Sequence, residues 1–102
     1  MNSLTQDLTG QIALVTGASG ELGRVIAHTL AERGADIAVH YHSNANTAVE
    51  LCAEIDGMGR RSLAVQADVS DREAVAAMHA AIEEKLGAPG IVVLNAVSKY
   101  KG

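Results

Sequence analysis

Four short apolar runs punctuate the chain, and the stretches between them carry apolar residues at helical spacing. Ile12-Ala13-Leu14-Val15, Ile37-Ala38-Val39, Leu63-Ala64-Val65 and Ile91-Val92-Val93-Leu94 contain no polar residue, the pattern of strands covered on both faces. The first interval places Leu22, Val25, Ile26 and Leu30 on one stripe and closes on Gly34, where a helix C-terminal glycine belongs. The second runs from Ala45 to Met58, with Val49, Cys52, Ala53 and Asp56 on one side and Gly57 and Gly59 ending it. The third opens at Ser70-Asp71-Arg72-Glu73, read as a capping box in which Ser70 and Glu73 satisfy each other's amides. It carries Val75, Met78, Ile82 and Leu86 inward and ends at Gly87. The predicted order is β-α-β-α-β-α-β.

Strands separated by helices of this length pair in parallel through right-handed crossovers. The expected fold class is therefore α/β, half of a doubly wound parallel sheet with strand order 3-2-1-4. One domain spans residues 1–102, and no repeat or low-complexity linker divides it.

Composition narrows the possible partners. With two Tyr and neither Phe nor Trp, the core must be built from Ala, Val, Leu and Ile. A net charge of -4 with dispersed acidic residues gives no long-range attraction to a phosphate backbone, so nucleic acid is excluded as a partner. No apolar run approaches the ~18 residues of a membrane span, and the N-terminus lacks the order of a signal peptide. Cys52 is the only cysteine and forms no internal disulfide; it is read as a small buried hydrophobe. These features predict a cytoplasmic location.

The candidate chemistry begins at Thr16-Gly17-Ala18-Ser19-Gly20-Glu21-Leu22-Gly23, between the first strand and the first helix. One glycine turns the chain off the strand, another admits backbone close to a pyrophosphate, and a third lets the helix pack on the sheet. The helix N-terminus adds free amides and a positive dipole end. Gly17, Ser19, Gly20, Leu22 and Gly23 are thus candidate cofactor-binding residues. The spacing is GxxGxxG, and no Gly-Lys-Ser/Thr follows, so a P-loop is excluded.

On these residues the chain resembles the short-chain dehydrogenase/reductase family. Leu8-Thr9-Gly10-Gln11-Ile12-Ala13-Leu14-Val15-Thr16-Gly17-Ala18-Ser19 is similar to that family's approach to its cofactor loop. Ala67-Asp68-Val69 resembles its acidic turn after the third strand, and Leu94-Asn95-Ala96 its Asn-Asn-Ala-Gly stretch after the fourth. The general run resembles the 3-oxoacyl-[acyl-carrier-protein] reductases. The resemblance implies a Rossmann fold, with Asp68 and Val69 at the adenine and Asn95 and Ala96 near the adenosine ribose. Two positions depart from the family pattern: Glu21 stands where the commonest branch has Gly, and Val97 where Ala-Gly is usual.

Nicotinamide specificity is expected from the end of the second strand, where an NAD site carries a carboxylate for the ribose 2′-hydroxyl. Here that position is Tyr41, within His40-Tyr41-His42-Ser43-Asn44. With no carboxylate to repel a 2′-phosphate, Tyr41, His42 and Ser43 are assigned to the cofactor, and NADP(H) is expected over NAD(H). His40 and His42 could form a metal pair, but no third ligand is in view, so no metal is expected and His40 is read as a polar strand end. His28 and His79 are read as edge or surface positions.

The resemblance also implies a catalytic Ser, a proton-donating Tyr and a Lys four residues after it, on one helix face. Ser98, Lys99, Tyr100 and Lys101 contain the right residue types, but Tyr100 and Lys101 are adjacent and would point about 100° apart on a helix. No catalytic residue is assigned. The expectation is a truncated, catalytically inactive N-terminal portion of an NADP(H)-dependent enzyme that reduces a ketone or a 3-oxoacyl thioester. A non-catalytic dinucleotide-binding module, or a folded scaffold with a disabled site, stays open as an alternative. The fourth strand, left as an apolar edge, predicts self-association.

Overall fold

The computed structural model describes residues 7–95. In chain order its elements are β1 (Ile12–Val15), α1 (Glu21–Glu32), β2 (Asp36–Tyr41), α2 (Ala45–Gly57), β3 (Ser62–Gln66), α3 (Arg72–Lys85) and β4 (Ile91–Val93). The four strands form one parallel sheet in the order β3-β2-β1-β4, with Leu14 opposite Ala38 and Val92, and His40 opposite Val65.

In β1 and β2 the unbroken apolar runs have the meaning expected of them, whereas β3 is largely half-buried and the β4 run leaves Val92 and Leu94 exposed at the sheet edge. Successive side chains on a strand point to opposite faces, and both faces of β1 and β2 are covered. Ala13, Val15, Ile37 and Val39 meet Ala27, Ala31, Leu51 and Ile55 of α1 and α2. Ile12, Leu14, Ala38 and Val65 meet Met78 and Ile82 of α3, with Leu86 just beyond it. Gly34 and Gly87, each in the left-handed region, end α1 and α3 as expected.

Three local expectations need correction. On α1 the buried residues are Gly23, Ala27 and Ala31, while Leu22 and Val25 are 64% and 60% exposed. Close approach is the cause: a Cβ on Gly23 would lie 2.3 Å from the Gly17 carbonyl oxygen, so only small residues fit the seam. Ile26 and Leu30 pack at its margin. On α2 the inward stripe is Ala48, Leu51 and Ile55; Val49, Ala53 and Asp56 are exposed and Cys52 is half-buried. The seam falls one position away from the expected stripe because Leu51 and Ile55 offer more apolar surface than Cys52 and Asp56.

The third correction concerns the start of α3. Its N-cap is Asp71, whose carboxylate accepts from the amides of Glu73 and Ala74. Ser70 lies one residue too early to cap. Its N–H and hydroxyl both donate to Oδ1 of Asp68, at 2.9 and 2.6 Å. A carboxylate placed nearer the free amides displaces the expected Ser-Glu reciprocity.

Candidate dinucleotide-binding site

All four strands run in one direction, so their C-terminal ends share an edge, and the loops leaving them converge there. The first is the glycine loop. Gly17 adopts φ +67°, a conformation that costs a side-chain-bearing residue roughly 1–2 kcal/mol. Its peptide is held on both sides. The N–H donates to Nδ1 of His40 at 2.9 Å, and the carbonyl accepts from Nδ2 of Asn95 at 3.2 Å and from the Gly20 amide at 3.2 Å. The Ala18 amide bonds to the His40 carbonyl at 2.9 Å. Neighbouring strands thus consume the first loop amides.

The loop then feeds α1. Gly20 is its N-cap, and no side chain bonds the leading amides, which leaves a helix N-terminus with its donors and positive dipole end uncapped. Gly23 brings the helix against Gly17 and Ala18, and a side chain there would fill that gap. A dinucleotide pyrophosphate fits such a cradle, because it needs backbone amides rather than side-chain volume. Ser19 is half-buried beside it, and Leu22 and Glu21 are exposed. The Glu21 carboxylate lies in the first turn, where an acid also favours the helix dipole.

At the end of β2, Tyr41 is half-buried against the core, while His42 and Ser43 are exposed. The His42 carbonyl accepts from Nε2 of Gln66, and Asn44 caps α2 by accepting from the Thr47 amide, leaving the intervening side chains facing out. After β3, Asp68 is exposed and Val69 half-buried. The two bonds from Ser70 hold the Asp68 carboxyl below the usual carboxylate range, with a further contribution from nearby His42. Both bonds fall on Oδ1, so Oδ2 is available to an amino group. After β4, the Asn95 amide N–H bonds to Oγ1 of Thr16 at 2.8 Å. Ala96 lies outside the described residues, as do Val97, Ser98, Lys99, Tyr100 and Lys101.

The site therefore draws together Gly17, Ser19, Gly20, Leu22, Gly23, Tyr41, His42, Ser43, Asp68, Val69 and Asn95 along one sheet edge. One buried group beneath these loops went unrecognised in the sequence. His40 is 1% exposed, and its second nitrogen, Nε2, lies 2.8 Å from the Ala67 carbonyl. The available signal was its place directly after Ile37-Ala38-Val39, in a strand buried on both faces. A polar side chain there must find partners inside.

Residues 11–101 match the short chain dehydrogenase family. The chain belongs to the short-chain dehydrogenase/reductase family. Among its relatives, 1-cyclohexenylcarbonyl-CoA reductase of Streptomyces collinus is 40% identical over 101 residues, covering 96% of this chain and 36% of that protein. The 3-oxoacyl-[acyl-carrier-protein] reductase FabG of Staphylococcus aureus is 42% identical over 84 residues, covering 82% and 34%. Landomycin C-6 ketoreductase LanV, solved with bound NADP and rabelomycin, superposes with a TM-score of 0.81 at 37% identity, over 95% of this chain and 42% of LanV. The chain spans about a third of the length of these curated relatives.

As a family member it shares their α/β fold with a parallel sheet. No helix among the described residues is long and apolar enough to cross a membrane. Among the same residues, no three His, Cys, Asp or Glu side chains cluster to hold a metal ion. The Cys52 thiol is half-buried, and burial raises its pKa, which disfavours the reactive thiolate.

Proposed function

We propose that this domain binds a nicotinamide dinucleotide, NADP(H) in preference to NAD(H), as the N-terminal cofactor-binding portion of a cytoplasmic carbonyl reductase. The observation that carries this reading is the uncapped N-terminus of α1 held against a strand-tethered glycine loop. Gly17, Ser19, Gly20, Leu22 and Gly23 would hold the pyrophosphate, and Asp68 and Val69 the adenine. Asn95 and Ala96 would flank the adenosine ribose. The bound nicotinamide supplies the hydride, and a ketone or 3-oxoacyl thioester is the substrate class suggested by the similarity to FabG and LanV.

Family likeness supports a nicotinamide dinucleotide, and LanV is solved with bound NADP. The preference for NADP(H) rests on β2, which ends without a carboxylate at Tyr41 and turns His42 and Ser43 outward. Imidazole and hydroxyl groups donate to a phosphate, whereas an acidic residue would repel it. No catalytic role is assigned to this chain, so the expected activity of the 102 residues alone is binding without turnover.

Titration of the purified chain with NADPH and, separately, NADH tests the reading by calorimetry or nucleotide fluorescence. Saturable NADPH binding, weaker for NADH and weaker again after Gly23→Ala, is the expected result. Equal affinity for the two nucleotides would remove the NADP(H) preference. Absence of binding at millimolar nucleotide would favour the scaffold reading, with the Glu21 carboxylate as the opposing charge.

A further inference from the structure

The dinucleotide reading uses the loops at the sheet edge, and one buried group beneath them has no role in it. His40 stands near the end of β2, the strand between β1 and β3. Its ring reaches both neighbours. The Gly17 N–H points at Nδ1, so Nδ1 accepts and the ring proton of the neutral imidazole lies on Nε2. Nε2 then donates to the Ala67 carbonyl at 2.8 Å. Ala67 immediately precedes Asp68, and Gly17 opens the glycine loop. The His40 carbonyl adds a third tie, to the Ala18 amide.

We propose that His40 is a positioning residue for dinucleotide binding, its imidazole a strut that fixes the glycine loop relative to the Asp68 turn. The two segments leave different strands, and their spacing must match the separation of pyrophosphate and adenine in one ligand. Hydrogen bonds from a rigid, buried ring set that spacing before the ligand arrives, so less ordering is left for the binding step. An apolar residue at position 40 would instead leave the Gly17 N–H without its acceptor in a protein interior. The inference rests on the dinucleotide reading above.

Two substitutions separate the two ends of the strut. In His40→Asn, the amide oxygen occupies the place of Nδ1 and can still accept from Gly17, while the reach to Ala67 is lost. In His40→Gln, the terminal amide nitrogen reaches toward Ala67 and the acceptor for Gly17 is lost. The first readout needs no ligand: exchange of the Gly17 amide proton, followed by NMR. It should accelerate about tenfold in His40→Gln and stay within about threefold of wild type in His40→Asn, as loss of one hydrogen bond implies. The second readout is NADPH affinity, which should fall about tenfold in both variants, since each cuts one end of the strut.

Thermal unfolding of both variants accompanies these measurements. Gly17 amide exchange that rises equally in the two variants, with affinity falling only as melting temperature falls, would make His40 a core residue only and overturn the proposal. Wild-type affinity in either variant would overturn it as well. If the wild-type chain itself binds neither NADPH nor NADH, the dinucleotide reading fails first and this inference falls with it. That outcome is distinct, since it is seen before any variant is made.

Discussion

At the residue scale, the glycine loop is decided by two atoms of Gly17 and one missing atom of Gly23. The Gly17 N–H donates to His40 of β2 and its carbonyl accepts from Asn95, just after β4, and its φ lies in the left-handed region. Gly23 leaves a gap that a methyl group would overfill against backbone. Gly20 is different: an added Cβ would meet only ordinary contact at 3.6 Å. Gly23→Ala should therefore destabilise the domain by about 1–3 kcal/mol through overpacking. Gly20→Ala should cost less than about 1 kcal/mol, the difference between Gly and Ala at an N-cap. Urea unfolding midpoints of the two variants check the ordering; equal losses would mean that α1 does not approach the loop this closely.

Asp68 carries a pH signature at the same scale. Its carboxyl lies below the ordinary value of 3.8 chiefly because Ser70 bonds to the charged form. A lowered folded-state pKa contributes stability above the unfolded value, and that contribution is lost as pH falls through the lowered folded value. The carboxyl carbon of Asp68, followed by NMR, should titrate below 3.8, and Ser70→Ala should move its midpoint upward. An unchanged midpoint would show that Ser70 does not set it.

At the element scale, the helices obey caps and seams more than side-chain size. Asp71 holds the first amides of α3, so Asp71→Ala should cost about 0.5–2 kcal/mol. Ser70→Ala should leave the length of α3 unchanged by circular dichroism, because Ser70 bonds backward to Asp68. The reverse ordering of the two variants in thermal unfolding would restore the capping box. That box was legible as a pattern in Ser70 and Glu73, yet two acceptors one residue apart compete for the same amides, and geometry decides between them. The α1 stripe misled for a related reason. Its periodicity correctly marked a helix, but Leu22 and Val25 were too large for the side pressed closest to the sheet.

At the scale of the whole molecule, parallel pairing in the order β3-β2-β1-β4 brings four loops to one edge and makes a site from residues nearly eighty positions apart. It also places β4 at an edge of the described sheet, with Val92 and Leu94 49% and 78% exposed. An apolar edge strand with free backbone groups invites pairing with a second copy. The 102-residue chain should therefore sediment with a concentration-dependent mass that falls toward the monomer after Val92→Lys. A wild-type monomer at high concentration would show that β4 is protected by some other means.

The order of elements, the α/β class and the place of the glycine loop were all determined by the amino-acid sequence itself. Each depends on local patterns: apolar runs such as Ile12-Ala13-Leu14-Val15, helical spacing between them, and glycines at the turns. Tertiary structure alone decided which face of α1 and α2 is buried, which acceptor caps α3, and what His40 does. Those outcomes depend on how near one element lies to another, a distance set by Gly17 against Gly23 and by β2 lying between β1 and β3. The periodicity of a single segment does not encode that distance.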